Sequence, residues 1–128
     1  MTMVKKFLLT DDDKDDRELF SEALASIDPG IICHGAEHGR DALRILNSLG
    51  GTKPDIIFLD LDMPVMNGYE FLEEFAKIDL PNKKAITIVV LTSSADPRDI
   101  DRTKELGIRY YYNKPLSRDE IKRLVGKE

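Results

Sequence analysis

The 128-residue chain predicts an α/β domain: a three-layer α/β/α sandwich of five β-α units around a parallel five-stranded sheet. Three observations carry this. Five short apolar runs alternate with five stretches of helical spacing. The third and fourth runs are nearly continuous, as in parallel strands buried on both faces. The strict strand–helix alternation calls for right-handed crossovers with helices on both faces. The length fits one domain over residues 1–128, with a core that needs no disulfide or metal staple.

The first strand is read at Lys6–Thr10, followed by a helix carrying Leu19, Phe20, Ala23, Leu24 and Ile27. The second is Ile31–His34, before a helix with Ala42, Leu43, Ile45, Leu46 and Leu49. The third is Ile56–Leu59, before Phe71, Leu72, Phe75 and Ile78 at helical spacing. The fourth is Ile86–Leu91. Asp96-Pro97 then reads as an N-cap with proline at the first helical position, ahead of Ile100 and Leu106. The fifth is Ile108–Tyr112, and Ser117 with Glu120 forms a capping box before Ile121, Leu124 and Val125. The fourth helix is the least apolar of the five. Gly50–Pro54 and Leu80–Lys84 read as loops inside the domain.

The formal charge is −5, which disfavours non-specific binding to nucleic acid or to an anionic membrane. The lone Cys33 cannot close an internal disulfide and reads as a small core residue. Met1–Phe7 has neither the apolar length of a signal peptide nor that of a membrane span, so a reducing cytoplasm is the expected location. His34 and His38 have no cysteine or acidic partner at metal spacing.

Charge is concentrated at residues 11–16, which hold five aspartates and one lysine. In an open parallel sheet, ligands bind beyond the carboxyl ends of the strands, near the switch in strand order. With strand order 2-1-3-4-5, the second strand is an edge, followed only by Gly35-Ala36. The other four strands deliver Asp11, Asp12 and Asp13, then Asp60 and Asp62, then Thr92, Ser93 and Ser94, then Asn113 and Lys114 to one face. Carboxylates so placed repel, and must bind a cation or carry raised pKa values. Oxygen donors without histidine or cysteine select a hard divalent ion, and Mg²⁺ characteristically keeps several waters and engages phosphate. The set therefore points to Mg²⁺-assisted phosphoryl chemistry. Asp60, at the end of the most apolar strand, suits the nucleophile that becomes an aspartyl phosphate. Lys114 and Mg²⁺ would neutralise phosphoryl oxygens, and Thr92 would donate a hydrogen bond to one of them.

Asp15 and Asp16 read as a favourable acidic first helical turn. Asp13 fits either the cap or the site. Tyr110, Tyr111 and Tyr112 alternate faces along a strand, so one or two of them are packing residues.

Four motifs now coincide. They are Leu8-Leu9-Thr10-Asp11-Asp12-Asp13, Ile57-Phe58-Leu59-Asp60-Leu61-Asp62-Met63-Pro64 with Gly68, Val90-Leu91-Thr92-Ser93, and Lys114-Pro115. In this order and spacing the chain resembles the receiver domain of bacterial two-component response regulators, the CheY-like, flavodoxin-like fold, over essentially its whole length. The resemblance implies that Asp60 is the phosphoacceptor. It implies Asp12 as a direct Mg²⁺ ligand, Asp11 acting mainly through water, and Asp62 offering a backbone carbonyl. It makes Thr92 the switch hydroxyl, Tyr111 the switch aromatic and Lys114 the phosphate-pairing lysine, with a cis bond before Pro115. The implied donor is a sensor histidine kinase or phosphotransfer protein. The implied output is protein contact through the fourth helix, fifth strand and fifth helix, to a downstream partner or to a second copy of the chain. Thr10, Asp62 and Asn67 depart from the commonest pattern. The loops around 50–54 and 80–84 resemble those of stand-alone receivers paired with phytochrome-type kinases.

Two other functions compete. Asp60-x-Asp62 mimics the nucleophile and acid of haloacid-dehalogenase-type phosphatases. Pro64, the placement on the third strand and the lack of an acidic pair after the fourth strand argue against that turnover enzyme. A phosphorylation-independent interaction module of the same fold would lose site residues, and this chain keeps them.

Overall fold

The computed structural model describes residues 5–48, 53–61, 66–80, 83–93, 96–114 and 116–126. Their elements run β1 (Lys6–Thr10), α1 (Lys14–Ile27), β2 (Ile32–Ala36), α2 (Gly39–Ser48), β3 (Ile56–Asp60), α3 (Gly68–Lys77), β4 (Thr87–Thr92), α4 (Pro97–Glu105), β5 (Tyr110–Asn113) and α5 (Arg118–Val125). A 3₁₀ turn at Lys83–Ala85 precedes β4. All strand pairs are parallel, and the sheet order is β2-β1-β3-β4-β5.

The strands alternate side chains between two cores. Leu8, Ile57, Leu59 and Val90 pack with Ala42 and Leu46 of α2 and with Phe71, Leu72 and Phe75 of α3. Phe7, Leu9, Phe58, Val89 and Leu91 pack with Leu24 of α1 and with Ile121, Leu124 and Val125 of α5. β3 is buried at all five positions, as its unbroken apolar run requires. The Phe58 ring meets Phe7 and Phe20 edge-on, with centroids 5.6 and 4.8 Å apart. Cys33 packs against this second core, and burial pushes its thiol above the usual range, so it is no activated nucleophile.

β3, β4 and β5 run one residue further than the sequence predicts, to Asp60, Thr92 and Asn113, and three strands begin later than predicted, each for a hydrogen-bonding reason. The Ile31 N–H donates to the Asp28 carbonyl, Ile86 to Lys83, and Ile108 to Thr103. Each apolar residue is thereby held in the preceding turn, and its strand begins later. Gly107 makes the last of these turns at φ 85°, where a side chain would be strained. At the other end β2 runs on through Gly35 and Ala36, which pair with Leu9 and Thr10.

α4 has a weak apolar anchor. Only Thr103 among its residues is buried. The helix is tied instead to Tyr69 at the start of α3. The Tyr69 hydroxyl donates to Asp99 Oδ1 at 2.8 Å, and the Arg102 guanidinium lies 3.8 Å over the ring centroid.

Candidate functional site: an acidic pocket at the carboxyl end of the sheet

β1, β3 and β4 end on one face, and so deliver Asp11, Asp60 and Thr92 together. All three are buried, although each strand is otherwise apolar. Asp11 and Asp60 are only 2% and 3% exposed, which forces their charges to find partners. Lys114 supplies one. It follows β5 directly, and its backbone N–H donates to the Thr92 carbonyl at 2.8 Å. Its ammonium then lies 2.9 Å from Asp11 Oδ2, 3.2 Å from Asp60 Oδ2 and 3.3 Å from Asp16 Oδ2. Burial pushes the Lys114 ammonium down. The hydrogen bond to Asp11 and the charges of Asp60 and Asp11 outweigh that and hold it well above the usual lysine range.

Carboxylate oxygens of Asp11, Asp12 and Asp60 lie within 4.8 Å of one another. Asp12 is exposed, and no hydrogen bond or ion pair holds its carboxylate among the described residues. Asp11 is pinned instead. Its Oδ1 accepts from the Asp13 N–H at 3.0 Å while its Oδ2 faces Lys114. Three convergent carboxylates with no histidine or cysteine fit a hard divalent cation that retains several waters.

The β1–α1 turn settles two residues. Asp13 is the N-cap of α1, accepting from the Asp15 and Asp16 N–H groups at 2.8 and 3.2 Å. Asp16, read from sequence as helix-start charge only, reaches Lys114 as well. The first turn of α1 returns position 16 to the sheet end, three residues after the cap; that spacing is the signal the sequence contained. The helix-start reading of Asp15 stands.

The chain after Asp60 returns tightly. The Gly68 N–H donates to the Leu61 carbonyl, and a Cβ at position 68 would stand 2.8 Å from Leu61 Cα and 2.9 Å from the Asp60 carbonyl. Glycine is required there by close approach alone. Asn67 is the N-cap of α3 in a reciprocal capping box with Glu70. Of the three tyrosines of β5, only Tyr111 packs on the α2–α3 side; Tyr110 and Tyr112 pack on the α1–α5 side. Asp62, with its expected carbonyl contact, and the Lys114–Pro115 bond lie outside the described residues, as do parts of both loops singled out in the sequence. His38 Nδ1 accepts from the Asp41 N–H, which makes it a cap of α2. On the open side, Leu19, Phe20, Ala23, Leu116 and Ile121 line a groove of about 550 Å³ that leads to Asp11, Asp16 and Lys114.

A parallel sheet ending in three carboxylates and a shared lysine defines a class of phosphoryl-accepting domain. The chain matches the response regulator receiver domain over residues 7–126 and belongs to that family. Receiver domains accept phosphoryl groups from histidine kinases and their relatives, and bind Mg²⁺ at such an acidic pocket. The chain is 31% identical over 125 residues to sporulation initiation phosphotransferase F of Bacillus subtilis, covering 98% of this chain and 94% of that protein. A two component response regulator from Cytophaga hutchinsonii superposes with a TM-score of 0.86 at 28% identity, covering 98% of this chain and 97% of that one. The phosphorylated cyanobacterial phytochrome response regulator RcpA superposes at 0.79 with 30% identity, covering 96% and 89%. The chain spans only 7%, 25% and 14% of three other curated relatives, which are much longer proteins. Among the described residues no helix is long and apolar enough to cross a membrane.

Proposed function

We propose that this receiver, read as one unit over residues 1–128, takes a phosphoryl group on Asp60 in a Mg²⁺-dependent reaction and signals by changing its protein contacts. The observation that carries this is the placement of Asp60: nearly buried, 3.2 Å from Lys114, and in a cluster with Asp11 and Asp12.

An Asp60 carboxylate oxygen attacks the phosphorus of the donor, a phosphohistidine of a kinase or phosphotransfer protein. The phosphorus–nitrogen bond breaks, and the departing imidazole leaves with its electron pair and takes a proton. A bound Mg²⁺ supplies charge neutralisation at the phosphoryl oxygens. Asp12, whose carboxylate has no partner among the described residues, would be the direct ligand in this reading. Asp11, engaged by Lys114 and by the Asp13 N–H, would act mainly through water. The Asp62 carbonyl would complete the set, as the resemblance implies. Lys114 exchanges part of its carboxylate contact for a phosphoryl oxygen, and Thr92 donates to another. Drawing Thr92 inward opens space for Tyr111 on the same face of the sheet. This biases an existing equilibrium toward an active surface on α4, β5 and α5, which engages a downstream protein or a second copy of the chain. The groove beside α1 admits the donor. The product is one stoichiometric adduct rather than turnover of an external substrate, and the setting is cytoplasmic.

Incubation with acetyl phosphate and Mg²⁺ tests this. The expected product is one base-labile phosphoryl mass on wild type and none on Asp60→Asn. An undiminished adduct on the variant, or none on wild type, refutes the assignment.

A further inference from the structure

Arg17 lies outside the set of groups that would touch metal or phosphate, yet it is fastened to that set. It projects from the first turns of α1, its side chain only 19% exposed. Its Nη1 donates to the main-chain carbonyl of Asp11 at 2.7 Å. The stem passes over β2 where residue 35 is glycine; a Cβ there would already be in contact, 3.4 Å from Arg17 Cδ. Its other visible partner, Glu37, is 71% exposed with the closest oxygen 4.0 Å away, too loose a pair to account for the ordering of the guanidinium.

The carbonyl that Arg17 holds belongs to the peptide joining Asp11 to Asp12. That peptide is planar, so fixing its oxygen fixes the plane in which the Asp12 Cα sits. On the near side Asp11 is already tied. Its N–H donates to the Ala36 carbonyl at 3.0 Å, and its carboxylate is engaged by Lys114 and the Asp13 N–H. Among the described residues nothing restrains the Asp12 carboxylate in this way. We infer that Arg17 is a positioning residue, which aims the Asp12 carboxylate at the cation site by anchoring the Asp11–Asp12 peptide. This rests on the Mg²⁺ reading of the pocket given above.

The competing effect has the opposite sign. A guanidinium beside a divalent cation repels it, so if Arg17 acted only through its charge, removing it would tighten Mg²⁺ binding. Calorimetric titration of Mg²⁺ into the unphosphorylated full chain separates the two, with metal-free melting curves run in parallel. Arg17→Met is expected to weaken Mg²⁺ binding about tenfold, the scale at which partners of metal ligands act. The acetyl phosphate reaction should then need correspondingly more Mg²⁺ for half-maximal rate, with the rate at saturating Mg²⁺ close to wild type. Arg17→Lys keeps the charge but loses the planar fork, and should fall between the two. It also carries the test if Arg17→Met does not fold. Unchanged or tighter Mg²⁺ binding by the variant that folds overturns the inference while leaving the pocket reading intact. Absence of Mg²⁺ binding by wild type overturns both.

Discussion

Replacing the proposed phosphoacceptor should stabilise the metal-free protein. Asp60→Asn removes one negative charge from the cluster while keeping its shape and an acceptor for Lys114. The carboxylate oxygens of Asp60 lie within 4.8 Å of those of Asp11 and Asp12. Two such pairs repel by about 1.7 kcal/mol in total at a water-like dielectric, and by about 7 kcal/mol at an effective dielectric of about 20. Losing the ionic part of the Lys114–Asp60 contact at 3.2 Å forfeits about 1.3 and about 5 kcal/mol in the same two limits. The difference favours the variant at either limit, by about 0.5–2 kcal/mol. Urea denaturation in EDTA should give a higher midpoint for Asp60→Asn at unchanged slope. Added Mg²⁺ stabilises whichever protein binds it, so wild type should then gain more and close the gap. A variant less stable than wild type in EDTA would mean that the favourable partners of Asp60, Lys114 among them, more than offset the repulsion, and the cluster would not be under the strain assigned to it.

Three further changes probe the fold around the site. The Thr10 hydroxyl is fully buried with no hydrogen-bond partner among the described residues, so Thr10→Val should stabilise the protein by about 1–2 kcal/mol; a lower melting temperature would show that the hydroxyl is satisfied. Burial, with the hydrogen bond and charge of Asp99, pushes the Tyr69 phenol up to about 12. Its proton is therefore retained in the folded state above the unfolded value of about 10, so stability should fall as pH rises from there through about 12. Tyr69→Phe should lack that slope, and the ultraviolet absorbance titration should lose one tyrosine ionising near 12. Lys83 donates to the Phe75, Ala76 and Ile78 carbonyls at 2.7, 3.1 and 2.9 Å. Lys83→Met should therefore cost about 1–3 kcal/mol in urea denaturation, with Lys83→Arg recovering part of it.

The sheet was legible because each parallel strand announces itself as an apolar run, and the pocket because polar residues break those runs at matching ends. Asp60 and Thr92 needed no structure to be singled out. What the sequence left open depends on hydrogen bonds between segments. Ile31, Ile86 and Ile108 look like strand residues by side chain, yet their N–H groups are claimed by preceding turns. Asp13 and Asp16 are the same residue type three apart, and only the phase of α1 sends one to the cap and the other to Lys114. Arg17 carried no motif at all, because it acts on a main-chain carbonyl that every residue possesses.

The distribution of buried polar groups bears on which element can move. Among the described residues these are Thr10, Asp11, Asp60, Thr92 and Thr103. Four stand at the carboxyl ends of β1, β3 and β4 or directly beyond, where the rigid sheet resists displacement. The fifth is the one buried residue of α4, and its hydroxyl donates to the Asp99 carbonyl of its own helix at 2.7 Å. α4 is thus held to α3 mainly by the Tyr69–Asp99 hydrogen bond and the Arg102–Tyr69 contact. Such contacts are worth about 1–3 and about 0.5–2 kcal/mol respectively. Inverting a two-state population from 1:99 to 99:1 takes about 5.5 kcal/mol. The restraint these two contacts place on α4 is of that order or smaller, whereas releasing an apolar helix such as α3 would expose five buried residues. Tyr69 itself follows Gly68, which is packed against the Asp60 carbonyl, so a change at Asp60 has a short path through this packing contact to the latch. On the proposed reading, α4 is the element whose position a single phosphoryl group can reset.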